Sequence, residues 1–297
     1  MNPLIHCLSS AVMLRKVEVL RNADTWLLRL TDTDGDQGIS VTGSAHFPLL
    51  TGLLHDRILP PVWGADLRHW PALIEQIYHH RSTYKYQGLA LHQPLAVLEL
   101  AVLDLLGRKS GLPLGALLGP VQRDHIVLYE AFHDRDLSAE ELTDRIAARV
   151  AETGSGAVKC KVGGRHGRPD VVPGRSERLP GLLRERLGPD LTLYADANGS
   201  YGVEEAERIG RVLEEAGFGF FEEPCPFDHY EEIHEVADRL TIPIACGEQE
   251  SSLQVMCRQV IRGAWEVMQP DLFYFGGCCR ALQAAQTGHL VMSTLHT

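Results

Sequence analysis

The carboxyl-terminal part of the sequence repeats one pattern, in which a short apolar run is followed by an amphipathic helical segment. Strands that alternate with helices predict a parallel sheet whose strands are joined by right-handed crossovers. The pattern occurs seven times, and the apolar runs are HIVLYEAF, GAVKCKVG, LTLYADAN, GFGFFEEP, IPIACGE, WEVMQPD and HLVMSTLH. We therefore predict an α/β fold with a (β/α) barrel of the TIM type. An open doubly wound sheet is the competing architecture.

The amino-terminal part has a different pattern. Apolar and polar residues alternate over residues 13–43 on both sides of the turn sequence DTDGDQG, which predicts a hairpin or meander. Helical periodicity then runs to about Leu118, and Gly111 with Pro113 is expected to end its last long helix. We predict an α+β domain over residues 1–122 and the barrel over residues 123–297.

Composition excludes several classes of protein. The formal net charge of -11 argues against a nucleic-acid partner and against a basic membrane surface. No apolar run reaches the roughly 18 residues of a spanning helix, and the amino terminus lacks the features of a signal peptide. Seven irregularly spaced cysteines indicate reduced thiols rather than disulfides. These features predict a cytoplasmic protein with a small-molecule partner.

The predicted strands end in charged residues, and this suggests a catalytic site. Parallel barrel strands bring their carboxyl ends to one mouth, where barrel enzymes carry their catalytic groups. Converging carboxylates repel each other unless a cation neutralises them, and Mg²⁺ suits oxygen ligands with open positions for substrate. The strand-end carboxylates of three consecutive units predict such a metal site, and they are Asp196, Glu222 and Glu248.

The second predicted strand carries two lysines that are two residues apart. Side chains at this spacing on a strand point to the same face. Lys159 and Lys161 are expected to point into the barrel beside the metal, while Cys160 points outward to a helix. Mutual repulsion and a nearby cation are expected to lower the pKa of a lysine toward a value useful for a base. Across the barrel, His296 is a second candidate acid or base, and Asp271 could orient it.

Together these residues resemble the mandelate racemase-like group of the enolase superfamily. The matching pieces are KCK, DANG, EEP, GE and QPD, followed by a histidine at a strand end. Enzymes of this superfamily use a Lys or His base with Mg²⁺ to stabilise an ene-diolate. The resemblance implies that the amino-terminal domain caps the mouth with the loop around residues 42–47. It also implies a homo-oligomer.

The resemblance assigns a role to each candidate residue. Asp196, Glu222 and Glu248 would hold Mg²⁺. The catalytic set would be Lys161 as the base on one face of the substrate, with His296 on the opposite face oriented by Asp271. Substrate would be bound by Lys159, at its carboxylate, and by Asn198.

The resemblance also predicts one structural difference from the family, and it does not decide which reaction is catalysed. The last predicted strand coincides with the end of the sequence, so we expect a barrel that lacks its eighth unit. The leading hypothesis is dehydration of an acid sugar, an aldonate or aldarate, to a 2-keto-3-deoxy acid. A racemase or epimerase would use the same bases and intermediate. A catalytically silent barrel stabilised by its metal is the alternative from another class.

Overall fold

A computed structural model of the chain describes residues 3–42, 47–81, 87–286 and 290–293. Within these ranges an antiparallel sheet of three strands precedes a parallel sheet of seven strands, and helices cover both. The predicted fold class is confirmed, with an α+β unit before a unit of the barrel type.

The antiparallel sheet is a meander of β1 (Leu14–Asn22), β2 (Thr25–Asp32) and β3 (Gln37–Thr42). Successive side chains of a strand point to opposite faces, and Leu28 and Leu30 of β2 are fully buried. The alternation in the sequence therefore reflects one buried face and one face turned to solvent.

The turn between β2 and β3 holds three carboxylates around one ammonium group. Lys109 Nζ donates to Asp32, Asp34 and Asp36 over 2.6–2.8 Å. These hydrogen bonds raise the pKa of Lys109, so it stays charged. The ammonium group offsets one of the three negative charges, and it also ties the turn to the helix that carries Lys109.

In the described residues four α-helices complete this unit, and the third is its centre. They are α1 (Phe47–Leu53), α2 (Trp70–His79), α3 (Leu89–Ser110) and α4 (Leu114–Leu118). Helix α3 lies so close to β3 that a Cβ on Gly38 would be 2.2 Å from the carbonyl oxygen of Ala101. It ends at Gly111 in the left-handed conformation, as predicted. Helix α3 is long and apolar enough to cross a membrane, but 78% of its apolar window is buried inside the protein.

The parallel sheet follows the repeated pattern of the sequence. Its strands are β4 (Glu130–Phe132), β5 (Ala157–Lys161), β6 (Thr192–Asp196), β7 (Phe221–Glu222), β8 (Ile244–Cys246), β9 (Val267–Met268) and β10 (Leu290–Val291). Its helices are α5 (Ala139–Thr153), α6 (Arg175–Leu187), α7 (Val203–Glu215), α8 (Tyr230–Arg239), α9 (Leu253–Ile261), α10 (Leu272–Phe275) and α11 (Cys278–Ala285). Helix α5 begins with the capping box of Ser138 and Glu141, in which side chain and backbone satisfy each other.

Strand order distinguishes the two architectures that the sequence left open. Each strand from β4 to β10 pairs in parallel with the next one along the chain. A doubly wound sheet would reverse its order at a switch point, whereas a barrel does not. The observed order is that of a barrel.

The two faces of the parallel sheet have different contents. Val158, Cys160 and Val162 pack outward in the large core shared with helices α5 to α9, as predicted for Cys160. On the inner face Phe220, Ala245 and Val267 form a small cluster, and the ring of Tyr194 stacks on Phe220 with centroids 4.1 Å apart. This apolar layer lies below the strand ends and forms the floor of the site.

The first barrel strand is shorter than its apolar run. The run HIVLYEAF covers residues 125–132, but only Glu130–Phe132 pair with a neighbour. The preceding residues Ile126, Val127 and Leu128 are 73–84% exposed. Strand β4 is an edge strand in the described part of the sheet, which is why this apolar run remains uncovered. The predicted boundary between residues 122 and 123 stays a prediction.

A buried glutamate joins the first unit to the end of the barrel. Glu99 of α3 accepts hydrogen bonds from Trp70 Nε1 at 2.8 Å and from the backbone N–H of Cys279 at 3.0 Å. Cys279 lies in the first turn of α11, so Glu99 caps a barrel helix from the other unit. Gly277 makes the approach possible, because a Cβ there would lie 2.2 Å from Glu99 Oε1.

Candidate active site

Strand β5 delivers two ammonium groups to the inner face of the barrel. Lys159 and Lys161 are only 8% and 9% exposed. Lys159 Nζ lies 2.6 Å from Glu222 Oε2 and 3.6 Å from Asp196 Oδ2. Lys161 Nζ donates to the carboxylate of Asp196 and, over 2.9 Å, to Asn198 Oδ1. The strand period therefore places both lysines among the predicted carboxylates.

The protein groups around Lys159 set the direction of its pKa shift. The predicted fall in the pKa of a lysine involves a bound cation and stays a prediction, and burial acts in that direction on Lys159. The carboxylates of Glu222 and Asp196 outweigh burial and raise the pKa of Lys159. Lys159 is therefore a permanent cation among the protein groups, which suits an electrostatic partner better than a base.

The carboxylates sit at the ends of adjacent strands because of the strand register. Lys161 is paired with Asp196, and Asp196 is paired with Glu222 on the next strand. Asp196 and Glu222 are completely buried, while Glu248, just after β8, is partly exposed. Asn198 links the third carboxylate to the others, since its Nδ2 donates to Glu248 Oε1 at 3.2 Å and its backbone N–H donates to Asp196 Oδ1 at 2.8 Å.

The pKa shifts show how crowded this negative charge is. Burial and the neighbouring Asp196 raise the pKa of Glu222. Burial would also raise the pKa of Asp196, but Lys161 and then Lys159 lower it. Burial and Glu248 raise the pKa of Glu223, the residue after Glu222. The two lysines thus compensate only part of the buried carboxyl charge.

The donor set fits a hard cation such as Mg²⁺. Glu222 Oε1 is buried and has no hydrogen-bond partner, and the same holds for Glu223 Oε1 and Gln269 Oε1. Orphaned buried acceptors are rare unless an ion or water satisfies them. Among the described residues, only Asp32, Asp34 and Asp36 bring three ligand atoms within 4.8 Å of one another. The predicted ligands Asp196, Glu222 and Glu248 are spaced more widely, and Lys159 and Lys161 donate to two of them.

Sequence reasoning missed several residues of this site. Gln269 Nε2 donates to Glu222 Oε2 at 2.8 Å, and Arg135 Nη2 donates to Asn198 Oδ1 at 2.7 Å. His133 follows β4, and burial with the nearby Lys161 and Lys159 lowers its pKa. The signal was present, since His133 and Arg135 follow the first predicted strand just as the identified residues follow theirs, and Gln269 belongs to the motif QPD.

Of the predicted pair His296 and Asp271, the structure describes only Asp271. Asp271 follows β9 and is 4% exposed, and burial and Glu248 raise its pKa to about 7. His296 lies outside the described residues, as does most of the predicted capping loop at residues 42–47. The orientation of His296 by Asp271 stays a prediction.

Comparison with known proteins identifies a matching family model and several similar enzymes. Residues 141–290 match the model of the family described as enolase C-terminal domain-like. An arabinonate dehydratase of Saccharolobus solfataricus is 29% identical over 227 residues, which are 75% of this chain and 58% of that protein. An L-talarate/galactarate dehydratase of Salmonella typhimurium is 32% identical over 193 residues, 64% of this chain and 46% of that protein. The chain thus spans about half the length of these relatives.

Solved structures show the same likeness over nearly the whole chain. A candidate racemase from Roseobacter denitrificans is 29% identical with a TM-score of 0.86, covering 96% of this chain and 78% of that one. A mandelate racemase/muconate lactonizing protein from Paracoccus denitrificans, complexed with magnesium, is 29% identical with a TM-score of 0.85. That match covers 96% of this chain and 79% of the other.

Proposed function

The chain belongs to the mandelate racemase-like group of the enolase superfamily, whose cofactor is Mg²⁺, and from this we propose that it dehydrates an acid sugar. The reaction would remove the proton α to a carboxylate and expel the β-hydroxyl, giving a 2-keto-3-deoxy acid. One observation carries the proposal. Two lysines at the end of one barrel strand contact the carboxylates that end the next two strands.

We assign the metal to Asp196, Glu222 and Glu248. The orphaned Glu222 Oε1 supports this assignment, because a cation would satisfy it. When bound, Mg²⁺ would offset the negative charge that develops on the substrate carboxylate as the α-proton leaves. Gln269 holds Glu222 and Asn198 holds Glu248 through side-chain hydrogen bonds, so each carboxylate is oriented by a residue that follows a strand two positions away in the sheet.

The two lysines would have different roles in the reaction. Lys161 would take the α-proton at Nζ, and its hydrogen bonds to Asp196 and Asn198 fix the position of that nitrogen. Lys159, whose pKa is raised, would remain charged and bind the substrate carboxylate. His296 would protonate the departing hydroxyl on the opposite face, with Asp271 orienting its ring.

Racemisation or epimerisation is the second candidate, favoured by the description of the Roseobacter denitrificans structure. Both reactions share the first proton abstraction and differ in whether a β-hydroxyl leaves. A panel of aldonic and aldaric acids, assayed for 2-keto acid and for α-deuterium exchange, separates them. We expect keto acid from at least one acid. Exchange without keto acid would replace dehydration with racemisation, and neither would indicate a silent barrel.

Mg²⁺ is expected to stabilise the protein through the assigned carboxylates. At about 100 times the dissociation constant, binding to the folded state adds roughly 2.7 kcal/mol to the free energy of unfolding. Thermal unfolding with and without Mg²⁺ measures this shift, and Glu222→Gln should lose most of it. Asp34→Asn is the matched control at the exposed carboxylates. A shift that persists in Glu222→Gln but disappears in Asp34→Asn would place the cation in the turn instead.

Two further features are proposed from the family. We propose a small carboxylate as the partner molecule and a cytoplasmic homo-oligomer as the working form. The absence of nucleic-acid and membrane partners stays a prediction from the net charge and the apolar pattern.

A further inference from the structure

A pocket of about 280 Å³ opens beside the proposed metal ligands. We call it the tail pocket, and the lining side chains that matter here are His166, Asn198, Glu223, Phe227, Asp228 and Gln249. They come from the loops that follow β5, β6, β7 and β8. The pocket therefore lies on the side of the barrel mouth where the strand ends carry the catalytic groups.

Three lining residues adopt a backbone conformation that L-residues rarely adopt. The φ angles are +50° at His166, +45° at Asn198 and +42° at Glu223. Only six non-glycine residues of the described chain have positive φ, and half of them line this pocket. Such conformations cost of order 1 kcal/mol or more each, and they cluster at ligand sites where surrounding structure holds them.

Backbone hydrogen bonds hold these three loops side by side. The N–H of His166 donates to the carbonyl of Asn198 at 3.0 Å, and the N–H of Gly199 donates to the carbonyl of Glu223 at 2.8 Å. The N–H of Arg165 donates to Ser200 Oγ at 2.8 Å. The ladder of the parallel sheet thus continues past the strand ends, so the walls of the pocket are formed before a ligand arrives.

The tail pocket adjoins the proposed point of proton removal. Asn198 lines it and also accepts from Lys161 over 2.9 Å. Gln249 lines it and donates to the metal ligand Glu248 at 3.2 Å. Through these two contacts the tail pocket lies next to the groups that would hold the reacting end of the substrate.

The lining chemistry favours hydroxyl groups over a second negative charge. Glu223 and Asp228 offer carboxyl oxygens as acceptors, Gln249 offers an amide, and Phe227, 42% exposed, offers an aromatic face. Asp228 is exposed and has no ion-pair partner within the described chain, so no cationic side chain there neutralises its charge. The arginines of the β5 loop, Arg165 and Arg168, are exposed and do not line the pocket.

We propose that the tail pocket binds the uncharged polyhydroxyl tail of an aldonate and disfavours the terminal carboxylate of the matching aldarate. This inference rests on the proposed function and narrows its substrate class. Hydroxyls can donate to Glu223 and Asp228, whereas a second carboxylate would meet the unpaired charge of Asp228. His166 would donate or accept at one further hydroxyl.

The test compares each aldonate with the aldarate that has the same hydroxyl configuration. We expect a higher kcat/KM for the aldonate, and Asp228→Asn should improve the aldarate relative to the aldonate by about fivefold, the effect of one unit charge at contact distance in water. Asp144→Asn, an exposed aspartate on α5, is the matched control and should leave the ratio unchanged. Calorimetric binding of both acids to Mg²⁺-loaded Lys161→Ala measures the same preference without turnover.

The outcomes separate this inference from the proposed function. Turnover with the aldarate preferred, or an Asp228→Asn effect that is equal on both acids, would overturn the inference and leave the dehydratase intact. Failure of every acid to bind, exchange or react would overturn the proposed function, and the inference with it.

Discussion

Exchange of the substrate α-proton is expected to fall by about 10²–10⁴-fold in Lys161→Met, the usual contribution of a positioned general base. Methionine keeps the length of the side chain but cannot accept a proton. The measurement is deuterium incorporation at the α-carbon in D₂O, followed by NMR at saturating Mg²⁺. Because Lys161 contacts the buried Asp196, Lys161→Arg is needed as well. It keeps the positive charge but does not release its proton at neutral pH.

A second lysine among carboxylates provides the control for this experiment. Lys109 contacts Asp32, Asp34 and Asp36 far along the chain from the proposed site. Lys109→Met should lower the free energy of unfolding and leave the exchange rate of the folded protein unchanged. Exchange at the wild-type rate in both Lys161 variants would remove Lys161 from the role of base.

Gly277→Ala is expected to destabilise the protein strongly, because a close contact is added to an unfavourable backbone conformation. Its φ of +102° is unfavourable for alanine, and the new Cβ would lie 2.2 Å from Glu99 Oε1. Glu99 is fully buried and held by Trp70 and Cys279, so it cannot move aside without losing its hydrogen bonds. We expect a loss of about 3 kcal/mol or more in urea unfolding, which combines backbone strain with overpacking.

Gly35→Ala separates the energetic cost of the close contact at Gly277 from the cost of a positive φ. Gly35 has a similar φ of +95°, and a Cβ there would meet nothing within 4 Å. Its substitution should cost only the strain, about 1–2 kcal/mol. Equal losses for the two variants would show that Glu99 accommodates the methyl group, and the close contact would then carry no energetic weight.

Much of the fold follows from the periodicity of the sequence. The seven apolar runs correspond to seven parallel strands in chain order, because each helical segment between them is long enough for a crossover. The length of β4 was wrong, since an apolar run pairs only where a neighbour is present. Ile126, Val127 and Leu128 have the residue types of a strand and no partner in the described sheet.

The site was predictable where strand geometry alone decides it. Lys159, Lys161 and Asp196 lie where a period of two and the carboxyl ends of parallel strands place them. Arg135 and Gln269 also follow predicted strands, but their contacts with Asn198 and Glu222 depend on side-chain paths that the sequence pattern does not show. The raised pKa of Lys159 could not be predicted from the sequence, because it depends on a balance between burial and two carboxylates that only distances can settle.

The hydrogen bond between Glu99 and Cys279 also bears on the order in which the chain folds. It joins residues 180 positions apart, whereas each barrel strand contacts the strand of the next unit. Local units can form as they are synthesised, but this bond can form only after the intervening units are in place. Until then, Glu99 can accept from the indole of Trp70 but lacks the backbone N–H of Cys279. Closure of the amino-terminal unit onto the barrel is therefore expected among the last steps of folding.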